Sequence, residues 1–155
     1  MRATPERSFV MVFNLDLDRV RSIASRLLSG VKDQAGDPVF WHASDIAFAL
    51  EGRSNDTVAV ALLHDVFEDT DVTLQQLYNE LASTSLNAKN IIETVQILTR
   101  QEDETYAEYI QRVKDTSDFA TEVKIKDLEH HLARQDQIPD SLVVRYTKAL
   151  VKLSQ

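Results

Sequence analysis

Residues 61–70, with the sequence ALLHDVFEDT, place one histidine and three carboxylates at the end of an apolar stretch. Residues 58–63 are all apolar and are therefore expected in the core. Ionised carboxylates beside a core are costly unless a positive charge compensates them. A divalent metal ion supplies such a charge, and His64 and Asp65 are residue types that bind one. The run indicates a metal-dependent hydrolase and predicts further ligands elsewhere in the chain.

Glu68 and Asp69 are candidates for proton transfer because they follow the histidine by about one helical turn. In a helix, His64, Asp65 and Glu68 fall within one arc. Carboxylates at a helix C-terminus oppose the macrodipole, so a solvated helix end explains this pair poorly. The alternative for His64 and Asp65 is a simple hydrogen-bonded pair.

Asp127 is the next acidic candidate. In a predicted helix over 118–132 it falls on the core-facing side. One explanation is an ion pair with Lys124 or Arg134. The other is that Asp127 binds the same metal ion as residues 61–70.

All four histidines lie next to these acidic segments: His42, His64, His130 and His131. His42 by itself would be read as a packed histidine or a helix cap, and it becomes a candidate ligand only together with the other motifs. Imidazole and carboxylate ligands together form a mixed nitrogen and oxygen set suited to Mn²⁺, Fe²⁺ or Zn²⁺.

The elements that must position these residues are predicted to be helices. The chain has only three glycines and three prolines, and its apolar residues recur mostly at helical spacing. Only residues 8–13 could be extended. The predicted helices are an apolar stripe over 20–28, then 41–50, 57–67, 74–81, 86–98, 104–113, 118–132 and one opened by residues 139–141. The predicted N-caps are Asp16 or Asp18, Asn55 or Asp56, Thr73, and Ser83 or Ser85.

Length and charge narrow the class of protein. The 155 residues predict a single all-α domain over 1–155, with its core at about 15–153. A net charge of −8 argues against a nucleic-acid partner but allows a small phosphorylated ligand, because a bound cation reverses the local field. The chain has no cysteine, and we find neither a signal segment nor a membrane span. We therefore expect a cytoplasmic protein with no membrane partner.

The order of the candidate residues resembles the H…HD…ED…D pattern of the HD-domain metal-dependent phosphohydrolases. The run at 61–70 is similar, more narrowly, to the hydrolase domain of RelA/SpoT-type enzymes and to the small alarmone hydrolases. Further segments agree, and the match extends from about residue 27 to about residue 132. These segments are GDPVFWH at 36–42, LTR at 98–100, ETYAEYIQRV at 104–113 and VKIKDLEH at 123–130.

The resemblance implies a compact helical HD-domain bundle with one divalent metal ion. Mn²⁺ is the first expectation, with Fe²⁺, Zn²⁺ and Mg²⁺ as alternatives. The implied metal ligands are His42, His64, Asp65 and Asp127. The implied catalytic pair is Glu68 and Asp69, and the implied nucleotide-facing cations are Lys32 and Lys124. The implied reaction removes pyrophosphate from the 3′ position of (p)ppGpp, giving GDP or GTP.

The chain departs from the family pattern at three single positions and in the loop at 27–31, which lacks the family's usual histidine and glutamine before the basic turn. Val39 replaces a tyrosine, Ala43 replaces a proline and His131 replaces an asparagine. We expect these departures to touch the nucleotide pocket and none of the metal ligands. Two alternatives follow: a phosphohydrolase for another nucleotide or phosphoester, or a catalytically silent module that binds a nucleotide or a protein. The oligomeric state is open, although the last helix is expected to face the core.

Overall fold

Helices make up the regular structure of residues 14–155, which are the residues that the computed structural model describes. The expected extended segment at 8–13 lies outside this range. Within it the chain forms nine α-helices, one 3₁₀ turn and no β-strand, which confirms the predicted all-α class. The helices are α1 (Leu15–Leu27), α2 (Val39–Ala49), α3 (Asn55–Leu63), α4 (Val66–Asp69), α5 (Leu74–Leu81), α6 (Ala88–Ile97), α7 (Tyr106–Thr116), α8 (Asp118–Leu132) and α9 (Asp140–Leu153), with the 3₁₀ turn at Gln135–Gln137.

Helix α3 is the centre of the bundle. Every residue from Thr57 to Leu63 is buried, as expected for a helix that is apolar on all sides. It packs against α1, α2, α6 and α8. The Ser54 hydroxyl caps it by accepting a hydrogen bond from the Thr57 backbone N–H at 3.2 Å, so the predicted cap at Asn55 or Asp56 was wrong.

The predicted helix over 57–67 is interrupted. Helix α3 ends at Leu63, a turn contains His64 and Asp65, and the short helix α4 follows. The His64 Nδ1 atom lies 2.7 Å from the Ala61 carbonyl oxygen. A continuing helix would offer that carbonyl to the backbone N–H of Asp65, so the imidazole competes with the next helical hydrogen bond.

Other helix boundaries are partly as predicted. The helices over 74–81 and 118–132 are confirmed, and Thr73 forms a capping box with Gln76. Helix α2 begins two residues earlier than predicted, at Val39. Two further caps differ from expectation because an asparagine next to the first turn supplies the acceptor. They are Asn14 for α1 and Asn87 for α6, whereas Thr105 caps α7, for which no cap was predicted.

Helix α8 brings the second half of the chain to the central helices. It packs against α2, α3, α6, α7 and α9, and Asp127 is only 3 % exposed on its inner side. The predicted core-facing position of this carboxylate is therefore confirmed. Within residues 14–155, every helix is too short or too polar to cross a lipid bilayer.

Candidate metal centre

The predicted metal ligands come together from three parts of the bundle. His42 lies on α2, Asp127 on α8, and His64 and Asp65 form the turn between α3 and α4. The Asp127 Oδ1 atom is 2.7 Å from Nε2 of His42 and 3.6 Å from Nε2 of His64. The Nε2 atom of His64 is also 3.1 Å from Oδ2 of Asp65. The structure thus groups four residues that the sequence proposed separately.

The protonation that the His64 contacts imply fits a cation. Because Nδ1 faces the Ala61 carbonyl, that nitrogen must donate a proton and the neutral ring presents a lone pair at Nε2. Among residues 14–155, this buried Nε2 atom has no hydrogen-bond partner. It faces carboxylate oxygens of Asp65 and Asp127. The lone pair on the nitrogen and the negative charge on these oxygens repel each other. A positive ion between them removes the conflict, and this buried histidine and aspartate cluster could hold a metal ion.

His131 joins the same cluster, contrary to the expectation that the departures avoid the metal ligands. Its Nε2 atom lies 3.2 Å from Asp127 Oδ1, and its ring stacks on His42 with centroids 4.3 Å apart. His42, Asp127 and His131 form a second group with metal-binding geometry. The missed signal was the spacing of four residues from Asp127, which places both side chains on one helical face.

Asp127 also has the ion pair that was considered as its alternative explanation. Lys124 donates to its Oδ2 atom at 2.6 Å, whereas Arg134 instead pairs with Asp33 at 3.3 Å. Burial alone would raise the pKa of Asp127, but Lys124 and the neighbouring histidines hold it well below its ordinary value. The carboxylate is therefore ionised, with one oxygen on Lys124 and the other among the imidazoles.

The two predicted ligand histidines differ electrostatically. Burial lowers the pKa of His42 and outweighs its contact with Asp127, which favours the neutral, metal-binding imidazole. Burial would also lower the pKa of His64, but the carboxylates of Asp65 and Asp127 reverse this and hold it well above its ordinary value. Positive charge at this point is thus strongly favoured, whether a proton or a metal ion supplies it.

The predicted catalytic pair stands at the mouth of the cluster. Glu68 and Asp69 are exposed residues of α4 and line the same cavity as Asp65. Crowding on their inner side, together with the charge of Asp65, raises the pKa of Glu68 to about 7 and that of Asp69 to about 6. Both groups therefore exchange protons near neutral pH, as proton transfer requires.

The cavity beside the cluster has a volume of about 290 Å³. Both predicted basic residues, Lys32 and Lys124, line it. Two further cations also line it, Arg100 and Arg145, together with the aromatic residues Tyr106, Tyr109 and Tyr146. The Arg145 guanidinium lies over the Tyr106 ring at 4.8 Å from its centroid. Sequence reasoning gave neither arginine a role: Arg100 entered only as part of the LTR segment at 98–100, and nothing in the spacing of Arg145 separates it from a solvated surface cation.

No protein-family model matches the chain, and no curated protein matches it.

Proposed function

We propose that the protein is a metal-dependent phosphohydrolase, and more specifically a (p)ppGpp 3′-pyrophosphohydrolase. The observation that carries the proposal is the meeting of three chemical groups in one cavity. They are the buried histidine and aspartate cluster, the acidic pair Glu68 and Asp69, and the four cations Lys32, Arg100, Lys124 and Arg145. A binding-only site has no need of a proton-transfer pair beside a cation site.

The charge of the cavity supports a phosphorylated ligand. Four basic side chains line this cavity although the chain carries a net charge of −8. Five carboxylates line it as well, namely Asp33, Asp65, Glu68, Asp69 and Asp127, and a bound divalent cation would offset part of their negative charge. Lys124 is neutralised by Asp127, which leaves Lys32 and the two arginines to attract an anion. Arginine is well suited to phosphate oxygens because its planar fork donates two parallel hydrogen bonds.

The metal ion would be held by His42, His64, Asp65 and Asp127, with His131 as a further nitrogen donor. When bound, a divalent cation supplies Lewis acidity, which lowers the pKa of water to about 7 and neutralises charge on phosphoryl oxygens. The mixed nitrogen and oxygen set suits Mn²⁺, Fe²⁺ or Zn²⁺ better than Mg²⁺, which prefers oxygen ligands.

Glu68 acts as the general base. Hydrolysis forms a bond between a water oxygen and the phosphorus, breaks the bond from that phosphorus to the 3′ oxygen, and requires a proton on the departing oxygen. Glu68, with its pKa near the working pH, accepts the proton that the water loses. Asp69, next to it at the cavity mouth, delivers a proton to the departing 3′ oxygen and is reprotonated from Glu68 or solvent, so the proton count balances.

The proposed substrate rests on the family resemblance and on the arrangement of cations and aromatic rings around the cavity. A guanosine carrying two separate diphosphates needs several cations around one cavity and a flat surface for the base. Lys32, Arg100 and Arg145 supply the first, and Tyr106 and Tyr146 offer the second. The departures at Val39 and His131 line the same cavity, so a different phosphorylated nucleotide is the alternative substrate.

Hydrolysis of ppGpp by the Mn²⁺-loaded protein tests the proposal. We expect GDP and pyrophosphate in equal amounts, with no product from the metal-free protein. Asp65→Ala should remove both metal and activity, whereas Glu68→Gln should keep the metal and reduce kcat by about a hundredfold or more. Turnover of a phosphoester panel with no preference for ppGpp would select the alternative substrate. Metal binding without hydrolysis of any panel member would reject the proposal that the protein is an enzyme.

A further inference from the structure

Three short contacts connect the metal cluster to the protein surface. Nε2 of His42 lies 2.7 Å from Asp127 Oδ1, and its Nδ1 atom lies 2.7 Å from Nδ1 of His130. The Nε2 atom of His130 in turn lies 2.9 Å from Oδ2 of Asp45. The four residues form a line from a buried carboxylate to one whose side chain is 64 % exposed. None of the sequence motifs assigned a role to Asp45.

The number of N–H protons along this line limits which tautomers His42 and His130 can adopt. Two neutral imidazoles provide two N–H protons for three contacts. If His42 donates from Nδ1 to His130, then His130 donates from Nε2 to the Asp45 carboxylate, and both outer contacts are satisfied. The contact left without a proton is the buried one between His42 Nε2 and Asp127. The Nε2 lone pair of His42 then faces the metal cluster.

We propose that His130 and Asp45 form a positioning relay, which holds His42 in the tautomer and the ring orientation that bind the metal ion. The proposal rests on the metal centre described above and adds two residues that do not touch the ion. An imidazole whose far N–H donates to a fixed acceptor keeps its lone pair directed at the metal and is a stronger donor. Here the acceptor is a second imidazole, which the exposed carboxylate keeps in the accepting tautomer.

The opposite proton arrangement is less favourable in the metal-bound protein. It would put a proton on His42 Nε2, where the metal must bind, and would leave an unprotonated His130 nitrogen 2.9 Å from the Asp45 carboxylate. With two neutral imidazoles, the arrangement that satisfies both outer contacts is therefore the one that leaves the Nε2 lone pair of His42 available to a metal ion.

The Mn²⁺ affinity of the 155-residue chain tests the relay and is measured by calorimetric titration of the metal-free protein. His130→Phe removes the acceptor, and we expect Mn²⁺ to bind about 10–100 times more weakly. His130→Gln keeps an acceptor for His42 and should recover most of the affinity. Asp45→Ala acts through one more hydrogen bond and should weaken binding by about three- to tenfold. The Co²⁺-loaded His130→Phe protein should also show a shifted visible absorption band.

Glu51→Gln is the matched control, because it removes the same charge from an exposed side chain six residues further along the chain. It should bind Mn²⁺ as the unchanged protein does. Thermal unfolding of the metal-free variants shows whether each one is folded. Mn²⁺ dissociation constants for His130→Phe and Asp45→Ala within twofold of the unchanged protein would overturn the relay alone. Failure of the unchanged protein to bind Mn²⁺ would overturn the metal centre and the relay together.

Discussion

The Oδ1 atom of Asp127 lies 2.7 Å from Nε2 of His42, although the two residues are 85 positions apart in the chain. This contact joins α8 to the first turn of α2 in the interior of the bundle. The same oxygen lies within 3.6 Å of His64 and 3.2 Å of His131. One carboxylate oxygen of Asp127 therefore lies close to three imidazoles, and the other forms an ion pair with Lys124.

Replacing Asp127 should destabilise the metal-free fold. Asp127→Ala leaves the Lys124 ammonium, whose side chain is 12 % exposed, without its partner, and we expect the free energy of unfolding to fall by about 3–5 kcal/mol. Urea unfolding measures this change. Glu129→Ala, an acidic truncation on the exposed side of the same helix, should cost less than about 1 kcal/mol. Equal losses for the two variants would contradict a buried ion pair at Asp127.

The acidic pair Glu68 and Asp69 should make the metal-free protein less stable as the pH rises. The folded state raises the pKa of Glu68 from 4.5 to about 7 and that of Asp69 from 3.8 to about 6. Between these limits the folded protein binds more protons than the unfolded chain, so the free energy of unfolding falls as the pH rises from about 4 to about 7. Glu68→Gln removes the ionised group and should stabilise the metal-free protein at pH 8.

We expect this gain to be about 1 kcal/mol at pH 8, because solvent screening at an exposed carboxylate leaves only part of the full effect. The gain should shrink at pH 5, where Glu68 is protonated in the folded state. Chemical denaturation at both pH values measures it. A Glu68→Gln protein that is less stable than the unchanged protein at pH 8 would contradict the claim that the folded state disfavours the ionised form of Glu68.

Removal of the metal should lower the melting temperature. A ligand present at a hundred times its dissociation constant stabilises the folded state by about 2.7 kcal/mol, or about 5–10 °C for a chain of this size. Adding EDTA to the Mn²⁺-loaded protein should reverse this shift. Asp65→Ala, which lacks one ligand, should show little response. An unchanged melting curve after EDTA, with metal measured before treatment, would place the metal outside the core.

Arg145 should affect the substrate and not the metal. Its guanidinium lines the cavity and lies over the Tyr106 ring. We expect Arg145→Met to raise KM for ppGpp about tenfold and to leave the Mn²⁺ affinity unchanged. Steady-state kinetics with a parallel Mn²⁺ titration separate the two effects, and an unchanged KM would remove Arg145 from the binding site.

Much of the cluster was predictable because the sequence places ionisable side chains at or beside positions that its apolar pattern assigns to the core. Asp127 sits at a core-facing helical position, and the apolar run before His64 leads directly into carboxylates. The role of His131 was predictable only in part: its spacing places it on the face of Asp127, but the packing of α8 on α2 is what brings it against His42. The break at His64 depends on one side chain competing for the Ala61 carbonyl. Arg145 enters the cavity only because α9 packs on α8.

The most direct test of the metal centre is a crystal structure of the Mn²⁺-loaded protein with anomalous scattering data. The account predicts one manganese peak, within about 2.0–2.4 Å of a nitrogen or oxygen atom from each of His42, His64, Asp65 and Asp127. No manganese peak among these side chains, or a peak held only by exposed carboxylates elsewhere, would contradict the account.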